Sequence, residues 1–128
     1  MLVAHVVDRD VPTVSPEADM LSAARRLLEC RCGILPVVVD DGRGVRLVGM
    51  LRHRDALAAT YGHADGGVGM PVAAVMSPAA GTCRASDSVG LAVRLLRRSG
   101  ADAVPVVDGD GYLVGVLSFA DLVRAAAR

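Results

Sequence analysis

An internal repeat is the feature of this chain that most constrains its fold. Pro36-Val37-Val38 recurs as Pro105-Val106-Val107 at an offset of 69 residues. Leu47-Val48-Gly49 recurs as Leu113-Val114-Gly115 at an offset of 66. The offset changes inside a glycine-rich turn, where the first copy carries residues 43–46 and the second a single residue. Since such turns tolerate insertions, we expect the two copies to share one fold.

Each copy has the pattern of a β-α-β-β-α unit. Apolar residues at helical spacing follow Asp19 in the first copy and Ser88 in the second, and either residue can cap a helix. Two β-branched runs joined by an Asp-Gly turn come next, and then a second helix. The runs do not alternate with polar residues, which is typical of strands covered on both faces.

These patterns predict the element boundaries and the fold class. The predicted strands are 11–14, 34–39, 45–51, 81–84, 103–107 and 112–117, and the predicted closing helices are 52–61 and 119–127. A small sheet with helices on one face leaves its other face bare. We therefore expect an α+β fold in which the repeats, 1–64 and 65–128, pack sheet to sheet with pseudo-twofold symmetry.

Composition excludes several classes of function. The 14 Arg and Lys residues balance 14 Asp and Glu residues, and only three aromatic residues are present, so we expect no nucleic-acid partner. No apolar run reaches the length of a membrane helix, and the N-terminus lacks the pattern of a secretory signal. Three cysteines without framework spacing favour reduced thiols in a cytoplasmic protein.

The start of the last helix is the strongest candidate binding site. Ser118 and Asp121 flank a predicted helix N-terminus, where unpaired N–H groups favour anions. From the residues alone, a capping pair and a ligand site are equally good interpretations. The first copy has Arg52 and Asp55 in these positions. Arg52 could bind phosphate, but an ion pair with Asp55 is the simpler interpretation.

The ordered runs quoted above, each ending in an Asp near a helix start, resemble a tandem pair of CBS domains, also called a Bateman module, over nearly the whole chain. The resemblance implies a regulatory module that is not an enzyme and requires no cofactor. It further implies an adenosine-containing ligand such as AMP, ADP, ATP or S-adenosylmethionine, a homodimer, and action on a separate, unidentified protein. A ligand-free interaction or dimerisation module is the alternative.

The resemblance also assigns site residues in each copy, with Asp121 and Asp55 as the ribose-binding carboxylates. The main site implied in this way comprises Thr82, Arg84, Ala103, Val104, Pro105, Ser118 and Asp121. The weaker site comprises Thr13, Ile34, Leu35, Pro36, Arg52 and Asp55. Many nucleotide-binding relatives carry a basic residue where this chain has Ile34 and Ala103, which disfavours a highly phosphorylated ligand such as ATP.

Metal and catalytic sites are not indicated. Cys30 and Cys32 could bind zinc together with His53 or His63, but their spacing differs from that of zinc sites and there is no second cysteine pair. The sequence shows no pairing of a nucleophile with a base. We therefore expect neither a metal ion nor catalytic residues.

Overall fold

The computed structural model describes residues 1–30, 32–79 and 81–127 and confirms the α+β fold of two repeats. The regular elements are α1 (Met20–Glu29), β1 (Ile34–Asp40), β2 (Val45–Arg52), α2 (His53–Tyr61), α3 (Val89–Ser99), β3 (Ala103–Val107), β4 (Leu113–Ser118) and α4 (Phe119–Ala126), with 3-10 turns at Val3–His5 and Val72–Ala74. Within the described part of the chain, no helix is long and apolar enough to cross a membrane.

The predicted helix caps are confirmed. The Asp19 carboxylate accepts a hydrogen bond from the Ser22 N–H at 3.1 Å, and the Ser88 hydroxyl accepts one from the Leu91 N–H at 3.2 Å. Gly100 ends α3 in the left-handed conformation, with φ of +66°. The Asp19 and Ser88 side chains supply acceptors for N–H groups that have no partner within the helix.

The predicted leading strands are reduced to single bridges. Val14 pairs with Val37 in parallel, and Cys83 pairs with Val106 in the same way. The next residues in register beside Val14 are Pro12 and Pro16, and neither has an N–H to donate. Each sheet therefore consists of one antiparallel hairpin, β1–β2 or β3–β4, with bridges at its edges.

The strands are covered on both faces, as the sequence predicted. Leu35 and Leu51 lie opposite each other in the first hairpin and belong to the core beneath the helices. The next residues along the strands face the other way. Ile34, Met50, Ala103 and Val116 form a shared core between the two repeats. The two sheets therefore pack against each other through this apolar layer.

The two repeats exchange short segments, which the sequence analysis did not predict. Val3 is fully buried in the core of the second repeat, and its N–H donates to Asp87 O at 2.9 Å. Val72 is fully buried in the core of the first repeat, and its N–H donates to Ala18 O at 2.9 Å. The segment before the first repeat thus completes the core of the second, and the segment before the second repeat completes the core of the first.

Both exchanged segments cross a hairpin closely at a repeated glycine. Asp8 forms a two-way backbone pair with Val116, and Ser77 forms one with Met50. A Cβ atom on Gly115 would meet the Asp8 carbonyl group, and one on Gly49 would lie 2.7 Å from Met76 Sδ. The glycine of each Leu-Val-Gly run therefore makes room for these crossings.

The longer turn of the first repeat also joins the two hairpins. Arg46, within the extra residues, donates to Asp110 O at 2.7 Å and lies over the Tyr112 ring at 4.7 Å. The Tyr112 hydroxyl donates to Asp41 Oδ2 at 2.6 Å and lowers the pKa of that carboxyl group. The insertion is therefore part of the contact between repeats.

Candidate functional site

Ser118 and Asp121 form a capping box at the start of α4. The Asp121 N–H donates to Ser118 Oγ at 3.1 Å, and the Ser118 N–H donates to Asp121 Oδ2 at 3.2 Å. Ser118 is only 5% exposed and is the one buried polar residue within the described ranges. The structural role of this pair is therefore confirmed, and its second carboxylate oxygen, Oδ1, points elsewhere.

That second oxygen is paired with an exposed arginine. Arg124 Nη2 donates to Asp121 Oδ1 at 2.8 Å, one turn along α4. The side chain of Arg124 is 63% exposed, whereas that of Asp121 is 15% exposed. An exposed ion pair contributes little to stability, so a ligand hydroxyl could replace this arginine at small cost.

A cavity of about 440 Å³ lies against the capping box and is built by both repeats. The second repeat contributes Ser118, Ala120, Asp121 and Arg124, and the first contributes Asp8, Asp10, Val11, Pro12, Glu29, Cys30 and Cys32. At this helix start the Phe119 N–H donates to Asp102 O and the Asp121 N–H donates to Ser118 Oγ. The Ala120 N–H between them has no acceptor within the described residues. The cavity therefore combines a carboxylate with an open backbone donor.

The structure brings together only part of the predicted main site. Ala103 pairs with Ser118 across the hairpin, and Val104 and Pro105 follow it along β3. Thr82 and Arg84 flank Cys83, which bridges Val106, three residues and about 10 Å further along the strand. Of the predicted main set, only Ser118 and Asp121 line the cavity at Ser118, and the other five residues do not. The wall opposite the capping box comes instead from the first repeat.

The equivalent position in the first repeat is organised differently. Arg52 has only donors and cannot cap α2, but its own N–H donates to Asp55 Oδ2 at 2.9 Å. Its guanidinium group lies 3.4 Å from Asp55 Oδ2 and donates to Ser77 Oγ at 2.8 Å. The Ser77 hydroxyl in turn donates to Asp55 Oδ1 at 2.9 Å. The predicted Arg52–Asp55 ion pair is confirmed, and both oxygens of Asp55 are occupied.

A smaller cavity of about 290 Å³ lies beside this helix start. It is lined by Gly33, Ile34, Arg52, His53, Arg54, Ser99, Gly100, Ala101 and Asp102. Asp55 is not among these residues, and its two carboxylate oxygens are bonded to Arg52 and Ser77. The described residues offer no acceptor to the N–H groups of His53, Arg54 and Asp55.

The remaining residues of the predicted weaker site lie elsewhere. Thr13 lines a separate cavity of about 490 Å³ between α1 and the first hairpin, where Arg26 donates to its carbonyl oxygen at 2.5 Å. Leu35 is fully buried in the first core. Pro36 lies opposite Met50 in the sheet. Of the predicted weaker set, only Ile34 and Arg52 line the cavity beside α2.

Two thiols lie in the wall of the cavity at Ser118. The Sγ atoms of Cys30 and Cys32 are 2.7 Å apart, and each lies 3.1 Å from Ile34 O. Burial raises the pKa of Cys32 to about 12, with the neighbouring Cys30 as a further cause. Within the described residues, no group of three or more His, Cys, Asp or Glu side chains is arranged to hold a metal ion.

Sequence reasoning missed the residues that the exchanged segments deliver. Asp8 and Ser77 are equivalent positions at the offset of 69. Asp8 lies beside the start of α4, and Ser77 lies beside the start of α2. Their equivalence was visible in the repeat alignment. Their positions were not, because nothing in the local pattern indicated that the segments cross between repeats.

Comparison with known proteins decides the family. The sequence profile of the CBS domain matches this chain twice, over residues 3–62 and 72–128. The chain belongs to the CBS domain family. This CBS pair is similar to CBSX2 in a crystal structure with AMP, with a TM-score of 0.83 and 29% identity over 98% of this chain and 96% of that one. A second structure of CBSX2, from Arabidopsis thaliana, gives a TM-score of 0.81 at 29% identity over 98% and 94% of the two chains.

Curated relatives contain the CBS pair as a part of longer proteins. Inosine-5'-monophosphate dehydrogenase of Thermoplasma acidophilum is 31% identical over 119 residues, which are 92% of this chain and 22% of the enzyme. L-aspartate semialdehyde sulfurtransferase of Methanosarcina acetivorans is 29% identical over 127 residues, which are 99% of this chain and 24% of the enzyme. This chain therefore spans about a quarter or less of the length of these two enzymes.

Proposed function

We propose that this CBS pair is a regulatory module that binds an adenosine-containing ligand and acts on a separate protein. One observation carries the proposal: the Asp121 carboxylate and an open helix N–H line a cavity that both repeats build. CBSX2, which has the same fold at 29% identity, has been crystallised with AMP. CBS pairs are in general regulatory rather than catalytic, and we propose the same for this chain.

The chemistry of the cavity suits a nucleoside. A carboxylate can accept hydrogen bonds from both hydroxyl groups of a ribose, and such charge-assisted bonds are among the stronger ones in proteins. Asp121 Oδ1 becomes available when the exposed Arg124 turns away. Val11 and Pro12 offer apolar surface for a base on the opposite wall. AMP, ADP, ATP and S-adenosylmethionine are therefore the ligands to test, with binding as the signal and no separate cofactor.

Isothermal titration calorimetry with these four ligands tests the proposal. We expect at least one of them to bind, and Asp121→Asn to weaken binding while leaving the fold intact. Asp110→Asn is the matched control, because it removes one negative charge at the exposed tip of the second hairpin. Absence of binding by every ligand, or equal loss in both variants, would contradict the proposal.

An interaction module without a ligand is the second candidate. Leu28, Leu57 and Tyr61 project from α1 and α2 and are 76%, 60% and 82% exposed. Apolar side chains grouped on a surface favour contact with another protein, and a second copy of this chain is the partner we propose. Light scattering on the wild type and on Leu28→Ser/Leu57→Ser tests this. A wild-type monomer at high concentration, with and without ligand, would exclude the homodimer.

A further inference from the structure

The two pseudo-equivalent cavities carry opposite charge. Among the described residues, the cavity at Ser118 is lined by four carboxylates, Asp8, Asp10, Glu29 and Asp121, and by the cation Arg124. Their formal charges sum to −3. Asp10 also donates its N–H to Asp8 Oδ1 at 3.0 Å, so these two acids are held together.

The cavity beside α2 has the reverse character. Of the described residues, Arg52 and Arg54 line it together with Asp102, which gives this lining a formal charge of +1 with His53 neutral. Three N–H groups at the start of α2 have no acceptor within the described residues, against one at the start of α4. The helix dipole adds to the attraction for an anion at either start, but only here do the side chains reinforce it.

The difference arises at matched positions of the repeat. Asp8, Asp10 and Glu29 of the acidic cavity correspond to Ser77, Ala79 and Arg98 at the offset of 69. Ser118 and Ala120 correspond to Arg52 and Arg54 at the offset of 66. All five of these pairs change the formal charge by at least one unit, and each change makes the Asp121 cavity the more negative of the two. The division therefore arises at several matched positions rather than at one.

We propose that the two cavities divide adenosine ligands by the charge of the 5′ substituent. The Asp121 cavity takes an adenosine with a neutral or cationic 5′ group, such as a sulfonium, and rejects a 5′ phosphate. The cavity beside α2 takes the phosphorylated form. This inference rests on the proposed function, since it assigns ligand classes to the same two sites.

The physical basis is the interaction between a phosphate and carboxylates that share one cavity. Two unit charges about 7 Å apart interact by an amount that corresponds to roughly fiftyfold in affinity at an effective dielectric constant of about 20, before screening by salt. At physiological salt the screening length is about 8 Å, so charges within one cavity are only partly screened. Several carboxylates around a phosphate would therefore weaken its binding strongly.

Calorimetry with adenosine, S-adenosylmethionine and AMP tests the Asp121 cavity in an Arg54→Gln background, which removes a cation from the cavity beside α2. Binding that a further Asp121→Asn substitution abolishes is assigned to the Asp121 cavity. We expect AMP to bind most weakly of the three. The isosteric double variant Asp8→Asn/Asp10→Asn keeps the hydrogen-bonding shape and is expected to strengthen AMP binding by about tenfold. Adenosine affinity should change by less than about twofold, since adenosine carries no charge. Asp110→Asn is again the control and should change neither.

Arg54→Gln tests the other cavity in an Asp121→Asn background. AMP binding should weaken by about tenfold, and adenosine binding should not change. If AMP binds the Asp121 cavity as tightly as adenosine, or if the double variant leaves their ratio unchanged, the charge division is wrong and adenosine binding stands. If no adenosine compound binds any variant, the proposed function fails and the charge division fails with it.

Discussion

The starts of α2 and α4 occupy the same place in the two repeats but are built from different parts of the chain. At α4, Ser118 caps the helix from within the repeat and is nearly inaccessible. At α2, Arg52 cannot cap, and a hydroxyl group comes from Ser77, which belongs to the exchanged segment. Equivalent positions in a repeat therefore need not perform equivalent roles. The Ser77 hydroxyl reaches the same helix start, but it donates to Asp55 instead of accepting from a helix N–H.

The difference affects the two carboxylates directly. Asp55 accepts from the Arg52 N–H, the Arg52 guanidinium group and the Ser77 hydroxyl. Asp121 accepts from the Ser118 N–H and from the exposed Arg124. A ligand at Asp55 must displace a partly buried network, whereas a ligand at Asp121 displaces one exposed side chain. We therefore expect Asp121 to bind an uncharged ribose more readily than Asp55 does.

Separating the repeats should have the largest effect. Fragment 1–64 lacks Val72, and fragment 65–128 lacks Val3. Each of these residues is fully buried in the core of the fragment that lacks it. Each fragment also exposes its half of the shared apolar layer. We therefore expect neither to unfold cooperatively as a monomer, as measured by circular dichroism during thermal melting.

A shifted fragment sharpens this test. Residues 9–79 retain the segment that contains Val72 and should keep more helical signal than residues 1–64. Mixing the two original fragments should restore cooperative unfolding, because the exchanged segments are then both present. A cooperative monomeric transition from either 1–64 or 65–128 would show that the exchange is dispensable.

The paired glycines should distinguish the two crossings. A methyl group on Gly115 meets the backbone of Asp8, whereas one on Gly49 first meets the flexible side chain of Met76. We expect Gly115→Ala to lower the free energy of unfolding by on the order of 2–4 kcal/mol and Gly49→Ala by about 1–2 kcal/mol. Urea unfolding of the two variants measures the difference. Equal losses would mean that both crossings adjust alike.

Adenosine binding should separate the two carboxylates. Loss of a charge-assisted ribose contact corresponds to about 1.5–3 kcal/mol, or roughly tenfold to a hundredfold in affinity. We expect Asp121→Ala to weaken adenosine binding by this factor and Asp55→Ala to have little effect. Arg52→Ser, which gives α2 the residue that caps α4, should make the first site more like the second. Abolition of binding by Asp55→Ala with Asp121→Ala unaffected would reverse the comparison.

Sequence and structure agree where local pattern determines the outcome. Helical spacing and capping residues placed α1 and α3 correctly, and the apolar runs placed both hairpins. The Arg52–Asp55 pair was predictable because three residues along a helix start bring the side chains together. The cavity walls were not, since Asp8 and Ser77 reach their sites only after the segments cross between repeats. The distance of Thr82 and Arg84 from Ser118 was not predictable either, because it depends on the bridge that Cys83 forms with Val106.

Replacing the cysteines should have the smallest effect, and it should change how the free energy of unfolding depends on pH. Burial raises the pKa of Cys32 to about 12 and that of Cys83 to about 11, from 9.0 for a free thiol. Between about pH 9 and 11 the unfolded chain releases protons that the folded chain retains, so these thiols lower the free energy of unfolding as pH rises. Below pH 9 they have no such effect, because both states are protonated.

The repeat supplies matched replacements for the three cysteines. Cys32→Ala and Cys83→Val introduce the residue types found at the equivalent positions Ala101 and Val14, and Cys30→Ser introduces that of Ser99. Urea unfolding from pH 8 to 11 should show a shallower decline in the Cys32→Ala/Cys83→Val variant than in the wild type. Adenosine binding at pH 7 should persist in all of these variants, and its loss would mean that the thiols take part in the site.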